Sequence, residues 1–432
     1  MYKLLSAKPL PTNGCLTKDY SITFGIIIYF CIMNKKKIFN DPIYGLIRFN
    51  HDILYEIIDH PYFQRLRRIS QQALSHYVYP GALHTRFQHA LGALHLMTRA
   101  LDTIRTKGIE ISEEEYEAGC IAILLHDIGH GPFSHALEHS LADVHHEKIS
   151  LILIQKMAEE LGRDFGLAIS IFKGSYHRPF LHELVSGQID VDRMDYLTRD
   201  SFFSGVAEGI IGYDRIITMM HVANDHLVIE EKGIYSIEKF LMARRLMYWQ
   251  VYLHKTVISA EVMLISILKR AKYLAQKGTE IASSDELSYF LNITQSNQTI
   301  IDQPEFLQNF VLLDDMDILW MIKKSVNHSD TIFSTLCKNL LHRKLLKVAA
   351  KNDESYIEFL NIKNSFQENH RLTDIETEYF FIEKKEVIFP YDIKAGEIEM
   401  LMKNGMIKPY SSLNPNLNIL PEERTFLFYF KE

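Results

Sequence analysis

The chain has 432 residues, of which 47% are hydrophobic and 23% charged, and its formal net charge is −7. This composition argues against global disorder and allows one large helical domain with a smaller one beside it. Proteins that depend on non-specific nucleic-acid contacts are usually basic, so that class is not indicated, although a local basic cluster could still bind a polyanionic small molecule. The four cysteines, at positions 15, 31, 120 and 337, form no CxxC motif and predict a reducing, cytoplasmic compartment.

The N-terminus contains an apolar run from Ile22 to Met33. This run is too short to predict a transmembrane helix, and the residues before it contain no clear cleavage site. The sequence changes character at Met33, which reads like a natural start. We interpret residues 1–32 as an N-terminal extension outside the folded core. A membrane anchor is the alternative, and the length of the run disfavours it.

The spacing of apolar residues is mostly helical between His51 and Gly278. One predicted helix presents an apolar face made of Phe87, Leu91, Leu94, Met97 and Leu101. A second presents Tyr116, Cys120, Ile123, Leu124 and Ile128, and must stop at the Gly-His-Gly-Pro sequence of residues 129–132.

Strand signals are few before residue 370. The clearest predicts a hairpin over His226–Ser236 that turns near Lys232–Gly233. Ser236 is then positioned to cap one long helix from Ile237 to Gln276.

The chain becomes less regular after about residue 283. Thr377–Pro390 and Thr425–Phe430 have the composition of strands, and a helix is predicted between them at Ile393–Asn404. The predicted fold is therefore mainly α, with an all-helical domain over residues 33–280 and a smaller α+β C-terminal lobe over residues 281–432.

Ten of the twenty histidines lie between His76 and His146. Within this region an unbroken apolar helix leads into the pair His126–Asp127 and then breaks. An imidazole nitrogen beside a carboxylate oxygen suits a divalent transition metal better than Ca²⁺. The alternative is a helix end with two exposed polar residues, which is disfavoured because the apolar run draws the pair into the protein.

An open catalytic metal site needs further ligands. His89 lies near the start of the preceding predicted helix, and Asp192 lies downstream where an apolar segment meets acidic residues. Four ligands of this kind would leave positions for water and a phosphate oxygen. Composition does not by itself choose these two over nearby candidates, which are His84, His95, Asp190 and Asp195.

The ordered motifs RFQH, HDIGHGPFSH, HHE and DVDRMDYLTRD resemble the HD-domain phosphohydrolases, and within them the dNTP triphosphohydrolases. The stretches FNDPI, FQRLRRI and YPGA also match. The resemblance covers roughly Lys37 to Lys255 and little after residue 280, and it implies an all-helical HD domain. It also implies that one divalent transition metal (Fe, Mn, Zn, Ni or Co) is bound by His89, His126, Asp127 and Asp192, with Mg²⁺ accompanying the nucleotide phosphates.

The same resemblance assigns catalytic roles to His130, His135 and His146, which would contact the phosphates and handle protons near the α-phosphate. Imidazole suits this task because its pKa lies near neutrality. Glu147 is positioned to orient one of these histidines. On its own, His135 is equally compatible with a helix cap or a surface residue.

The substrate residues implied by the resemblance are Gln71, Arg86, Arg193, Tyr196 and Asp200. Tyr196 would pack under the deoxyribose and exclude a 2′-hydroxyl, although a core aromatic beside a solvated acid is the alternative. Three features depart from the family pattern: Arg193 stands where vertebrate members have lysine, Gln72 replaces a leucine, and Ala73-Leu74-Ser75 replaces a glycine-rich stretch.

A regulatory nucleotide site between subunits is implied as well, and GTP or a dNTP would occupy it in a homo-oligomer, a dimer or tetramer. The matching residues are Lys37, Asn40, Asp59, Gln64 and Arg67. An ordinary amphipathic helix with a solvated basic face explains the FQRLRR segment equally well.

The resemblance thus predicts hydrolysis of dNTPs to deoxynucleoside and inorganic triphosphate. Two alternatives remain open. One is another HD phosphohydrolase activity, such as that of a nucleotidase, phosphodiesterase or single-strand nuclease. The other is a non-catalytic module that binds nucleotides or nucleic acid.

Overall fold

The computed structural model describes residues 37–134, 138–141, 144–293, 300–301, 303–393, 396–414 and 420–431. The predicted extension 1–32 and its apolar run lie outside the described residues. The α-helices, in chain order α1 to α19, are Asp52–Asp59, Pro61–Gln64, Arg86–Thr106, Glu113–Leu125, Glu138–Leu141, His146–Leu161, Gly166–Phe172, Pro179–Val185, Val191–Ser204, Tyr213–Met219, Ile234–Met247, Lys255–Gln276, Asp285–Asn292, Pro304–Phe310, Asp315–Lys324, Thr331–Leu341, Asp353–His370, Asp374–Thr377 and Tyr410–Leu413.

The strands, β1 to β9, are short and form three small sheets among the described residues. They are Phe39–Asp41, Gly45–Ile47, Met220–Ala223, His226–Glu230, Lys347–Ala350, Phe381–Ile388, Glu399–Leu401, Ile407–Pro409 and Glu422–Tyr429. The sheet orders are β1-β2, β3-β4-β7-β8 and β5-β9-β6. The prediction of a mainly α protein with a smaller C-terminal lobe that contains strands is confirmed, although four short strands also precede residue 280.

Helix α3 packs against both α4 and α9. Helices α3 and α9 and the turn after α4 carry many of the polar residues discussed below. Helix α3 begins with a capping box between Thr85 and Gln88, and α4 begins with one between Ser112 and Glu115. These caps satisfy backbone N–H groups at the helix starts. Almost every residue of α4 from Ala118 to Leu125 is buried, so the helix delivers its C-terminal end into the interior.

The hairpin predicted over His226–Ser236 is wrong. Strand β4 pairs with the preceding strand β3, and the chain after Lys232–Gly233 enters helix α11 rather than a second strand. The two turn residues between β3 and β4, Asn224 and Asp225, have φ values of 52° and 60°. Both values lie in the left-handed region that asparagine and aspartate tolerate and that two-residue hairpins require.

The predicted continuous helix Ile237–Gln276 is wrong. Helix α11 begins at Ile234, a π-helical turn occupies Tyr248–Tyr252, and α12 begins anew at Lys255 after His254 caps it. The two segments are bent by 57°. Apolar periodicity continues across the break, so the periodicity alone did not reveal it.

Two further boundaries differ from the prediction. Helix α4 ends at Leu125, before His126 rather than at Gly129, so the His-Asp pair occupies a turn. The helix predicted at Ile393–Asn404 is absent from the described part of that segment, where β7 pairs parallel with β4 and antiparallel with β8. Long-range strand pairing overrides local helical spacing there.

Strand β4 precedes residue 280 and β7 follows it, so one sheet joins the two predicted domains. The division at residue 280 stays a prediction. In the part of the chain that the structure describes, no single helix is long and apolar enough to cross a membrane. The bent pair Glu231–Tyr252 and Lys255–Gln276 passes that test only when its two halves are combined.

The backbone conformation at the end of α9 favours a glycine, and this preference can be tested. Gly205 has a φ of 72° with open space around its missing Cβ, whereas Gly119 lies within α4 where a Cβ would make ordinary contacts. We expect Gly205→Ala to lower the free energy of unfolding by about 1 kcal/mol and Gly119→Ala to raise it by up to about 1 kcal/mol. Urea denaturation measures both, and equal effects in the two variants would contradict this account.

Candidate active site

Three side chains from three different helical segments meet at one buried point. His89 from α3, His126 from the turn after α4 and Asp192 from α9 offer ligand atoms that all lie within 4.8 Å of one another. Asp192 Oδ1 is 3.0 Å from His89 Nε2 and 3.3 Å from His126 Nε2. Residues far apart in sequence therefore converge on one position.

Asp127 lies at the same point. Its Oδ1 is 3.3 Å from His126 Nε2 and its Oδ2 is 3.7 Å from His89 Nε2. The same carboxylate also accepts a hydrogen bond from Arg86. All four side chains predicted as ligands are thus brought together, with Asp127 facing both the cluster and an arginine.

The second nitrogen of each histidine is held by an acceptor. His89 Nδ1 lies 2.8 Å from Asp195 Oδ2, and His126 Nδ1 lies 2.6 Å from the carbonyl oxygen of Ile123. When Nδ1 is the donor, Nε2 carries the lone pair that faces the cluster. Acceptors behind metal-bound histidines fix the tautomer and ring orientation in this way.

The partner of His89 is itself anchored. Arg199 donates to both oxygens of Asp195, at 2.9 and 3.0 Å, and donates to Asp41 at 2.8 Å. Sequence reasoning left Asp195 as an alternative ligand and did not single out Arg199 or Asp41. The spacing of Asp195 and Arg199, four residues apart on a helix, was the available signal.

The carboxylates dominate the electrostatics of the cluster. Burial alone would lower the pKa of His89, but Asp192 and Asp195 raise it to about 10. Burial alone would raise the pKa of Asp127, but Arg86, His126 and His130 lower it well below its usual range. The cluster is therefore a buried environment that favours positive charge.

The residues fit a divalent cation. His89 Nε2 and His126 Nε2 are buried and make no well-formed hydrogen bond to any described residue, although both face Asp192. A metal ion would satisfy both nitrogens and neutralise the carboxylates, and mixed imidazole and carboxylate donors suit transition metals.

The cluster opens into a cavity of about 1040 Å³. Its lining includes all five residues predicted to bind substrate, two of the three predicted to act in catalysis and three of the four predicted metal ligands. They are Gln71, Arg86, Arg193, Tyr196 and Asp200, then His130 and His146, then His126, Asp127 and Asp192. His135, also predicted to be catalytic, lies outside the described residues.

Two of the predicted catalytic histidines are stacked. The ring centroids of His130 and His146 are 4.0 Å apart with planes inclined by 17°. His130 Nε2 lies 3.4 Å from Asp127 Oδ1, which connects this pair to the cluster.

His146 is oriented by Glu138, a residue that sequence reasoning missed. Glu138 Oε1 lies 2.5 Å from His146 Nδ1 and accepts from the His146 backbone N–H at 3.1 Å. Glu147, suggested for this role, is exposed and lies 3.8 Å from His145 instead. No local pattern distinguished the two acids, because the fold of the chain before α6 decides which one reaches His146.

The two predicted phosphate-binding arginines are both paired. Arg86 donates to Asp127 and, at 2.7 Å, to Ser134 Oγ. Arg193 donates to Asp190 and to the carbonyl oxygen of Gly187. Burial raises the pKa of Asp190 to about 6, and the pKa of Arg193 is raised chiefly by Asp190. Both guanidinium groups are therefore held in place at the wall of the cavity.

The predicted sugar-binding residues lie side by side. Asp200 accepts from Tyr252 OH at 2.8 Å, and its other oxygen lies 2.7 Å from His84 Nε2. The rings of Tyr196 and Tyr252 are 6.2 Å apart. Sequence reasoning did not assign Tyr252 to the site, because the expected continuous helix hid the π-helical turn that carries it.

Two buried side chains hold the backbone of the turn that contains His126 and Asp127 through hydrogen bonds. Arg65 is 1% exposed and donates to the carbonyl oxygens of Ile128 and His130 at 3.0 and 2.8 Å. Burial lowers the pKa of Arg65 to about 9. Ser150 Oγ donates to the His126 carbonyl at 3.0 Å and accepts from the Gly129 N–H at 2.9 Å. The turn is therefore rigidly positioned.

The residues predicted for regulation lie apart from the cavity lining. Lys37 forms an ion pair with Asp59, and Arg67 donates to Gln64 Oε1 at 2.8 Å while its guanidinium lies 3.5 Å from the centre of the Phe87 ring. Asn40 is exposed on β1.

Comparison with known proteins agrees with the geometry. Residues 86–200 match the HD domain family, and residues 211–303 match the HD associated region. The uncharacterized protein YwfO of Bacillus subtilis (strain 168) is 32% identical in an alignment of 394 residues that covers 88% of this chain and 88% of that one. A solved phosphohydrolase from Bacteroides thetaiotaomicron VPI-5482 is 46% identical, with a TM-score of 0.87, over 92% of this chain and 100% of that one.

A more distant relative has an assigned activity. The deoxynucleoside triphosphate triphosphohydrolase SAMHD1 homolog of Dictyostelium discoideum is 31% identical over 283 residues, 61% of this chain and 54% of that protein. The helical fold and the buried histidine–aspartate cluster thus define a metal-dependent phosphohydrolase. The chain belongs to the HD-domain phosphohydrolases.

Gly92 provides a test of the anchor behind His89. A Cβ at this position would overlap with the side chains of Asp195 and Arg199. We expect Gly92→Ala to displace Asp195 from His89, to lower the free energy of unfolding by about 1–3 kcal/mol, and to reduce bound metal. Denaturation and elemental analysis measure these effects, with Gly119→Ala as the control. Unchanged stability and metal content would refute the packing argument.

Proposed function

We propose that this protein hydrolyses deoxynucleoside triphosphates to deoxynucleoside and inorganic triphosphate. The observation that carries the proposal is the shared cavity. The buried cluster, two fixed arginines, a pair of stacked histidines and a tyrosine–aspartate pair all line one space of about 1040 Å³. A dNTP needs contacts for its phosphates, a pocket for its sugar and a reactive centre at the α-phosphate between them, and residues suited to each line this cavity.

The metal would be held by His89, His126, Asp127 and Asp192. When bound, it would neutralise phosphate charge and lower the pKa of a water molecule toward neutrality. Imidazole and carboxylate donors suit Mn²⁺, Fe²⁺, Co²⁺, Ni²⁺ and Zn²⁺.

The stacked histidines handle protons in this reaction. A bond forms between a water oxygen and the α-phosphorus, and the bond from that phosphorus to the 5′-oxygen breaks. The 5′-oxygen must gain a proton and the water must lose one. His130 and His146 line the cavity beside Asp127, and Glu138 fixes the ring of His146, so these histidines are placed to exchange those protons.

Basic side chains on the cavity wall would bind the phosphates. Arg86 and Arg193 line the cavity together with Lys148 and Lys173. A guanidinium group binds phosphate oxygens in a fork, so Arg193 would grip them differently from the lysine of vertebrate relatives. These charges stabilise the negative charge that accumulates during the reaction.

Selection of deoxyribose is assigned to Tyr196 and Asp200. Tyr196 lies between His89 and Tyr252, with ring centroids 6.5 and 6.2 Å away, and a sugar packed on its ring would leave no room for a 2′-hydroxyl. Asp200 is fixed by His84 and Tyr252 and would accept from a sugar hydroxyl.

Regulation by GTP or a dNTP between subunits of a homo-oligomer is also proposed, at Lys37, Asn40, Asp59, Gln64 and Arg67. It is supported by the resemblance to the dNTP triphosphohydrolases. Asp59 could accept from a guanine edge once released from Lys37, which could then meet phosphates.

The proposed activity is tested by product analysis. Purified protein loaded with Mn²⁺, Fe²⁺, Co²⁺, Ni²⁺ or Zn²⁺ is incubated with each dNTP and NTP, and nucleoside and triphosphate are quantified. We expect triphosphate release from dNTPs, and at least a 100-fold loss in Asp127→Ala because the metal site loses a ligand and Arg86 its partner. Asp353→Ala, an exposed acid at the start of α17, is the control.

Other products would point elsewhere. Release of pyrophosphate or orthophosphate, or cleavage of single-stranded DNA in place of dNTPs, would favour a different phosphohydrolase activity. Nucleotide binding without turnover with every metal would favour a binding module. Full activity of Asp127→Ala after loss of metal would overturn the assigned metal role.

The roles of the two acids near His146 can be separated. We expect Glu138→Gln to lower kcat at least 10-fold with little change in KM, because His146 loses its charged partner. We expect the kcat of Glu147→Gln to stay within about 2-fold of the wild-type value. Glu147 is exposed and lies beside His145, whereas Glu138 bonds the His146 ring. Steady-state kinetics distinguish the variants, and equal losses would refute the assignment of Glu138.

A further inference from the structure

The cavity wall contains a buried amide with nothing to bind. Gln72 is 7% exposed, and both its Oε1 and its Nε2 are buried without a hydrogen-bond partner among the described residues. Gln72 lines the cavity, as does Gln71, whose Oε1 is also buried and unpartnered. A buried amide that loses its contacts with water and gains none destabilises the folded protein.

The backbone beside Gln72 is strained as well. Ala73 has a φ of 42°, in the left-handed region that glycine adopts easily and alanine does not. The amide and the strained residue are adjacent in sequence, and both lie on the cavity wall. Two unfavourable features at one place are expected where a binding site holds the chain in a fixed form.

Three other polar residues that line the cavity already have partners within the protein. Asp200 is bound by His84 and Tyr252, and Arg193 is bound by Asp190. Arg86 is bound by Asp127 and Ser134. Gln71 and Gln72 differ from these residues, because buried side-chain atoms of both lack a hydrogen-bond partner among the described residues.

A primary amide presents a donor and an acceptor side by side. Each nucleobase also presents an adjacent donor and acceptor on one of its edges, and glutamine pairs with such an edge through two hydrogen bonds. A sugar hydroxyl donates and accepts through a single oxygen, and phosphate oxygens only accept, so neither presents a donor and an acceptor on two neighbouring atoms. The free amide is thus complementary to a base rather than to the rest of a nucleotide.

We propose that Gln72 is a specificity-determining residue that binds the edge of the substrate's base through its side-chain amide. This inference rests on the proposed function, because it takes a nucleotide as the occupant of the cavity. Gln72 is also where this chain departs from the leucine of its relatives, so the contact would be particular to this protein and others that share the glutamine.

The test compares substrates with and without a base. The value of kcat/KM is measured for the four dNTPs and for 1,2-dideoxyribose 5-triphosphate, which has the sugar and triphosphate alone. The variants are Gln72→Met, which keeps the length of the side chain, and Gln72→Leu, which restores the residue of the relatives. Gln155→Leu, at an exposed position of α6 outside the cavity lining, is the control.

We expect both Gln72 variants to lose about 10- to 100-fold in kcat/KM for the best dNTP and less than 3-fold for the baseless substrate. Their melting temperatures should stay equal to that of the wild type or rise, because an unpaired amide has been removed. Equal losses on both kinds of substrate, or no loss on either, would overturn the proposal. A lower melting temperature with unchanged substrate ratios would assign Gln72 a structural role.

The two proposals can fail separately. If the wild-type protein releases no triphosphate from any dNTP, the proposed function fails. If the wild type turns over dNTPs while the Gln72 variants keep the wild-type ratio between dNTP and baseless substrate, only the role of Gln72 fails.

Discussion

The arrangement of the site depends on one constraint, which is the burial of several carboxylates beside imidazoles. Asp127 and Asp195 are buried and Asp192 is partly buried, and charges in such positions are tolerated only when cations or donors face them. The protein meets part of this need with Arg86 on one side and Arg199 on the other. The Nε2 atoms of His89 and His126 have no well-formed hydrogen bond among the described residues. A metal ion bound to these nitrogens would neutralise the remaining carboxylate charge, which is why the cluster suits one.

Much of the helical framework around this cluster could be predicted from local sequence. The apolar faces of α3 and α4 and the breaking residues after His126 dictate two helices whose ends approach each other. The choice of His89 and Asp192 over their neighbours could not be derived from spacing, and came from the resemblance. The structure supplies the physical reason for that choice, because Asp195 is used behind His89 and Asp190 is used by Arg193.

The features that were missed depend on contacts between distant segments. Glu138 rather than Glu147 reaches His146, and β7 forms a strand rather than a helix because β4 lies beside it. No local pattern encodes either outcome. The hairpin between β3 and β4, in contrast, has a local signal in the sequence, because Asn224 and Asp225 are both common turn residues. The turn was predicted at Lys232–Gly233 instead.

The break between α11 and α12 connects these points to the shape of the cavity. A continuous helix would carry residues 248–252 straight on, whereas the π-helical turn brings Tyr252 to Asp200 and leaves Trp249 bonded to Glu422 of β9. Arg245 contacts the same carboxylate. The C-terminal lobe also supplies Lys384 and Glu386 from β6 to the cavity wall, beside Glu261 of α12, whose pKa burial raises to about 7. The lobe therefore helps to enclose the cavity that the helices begin.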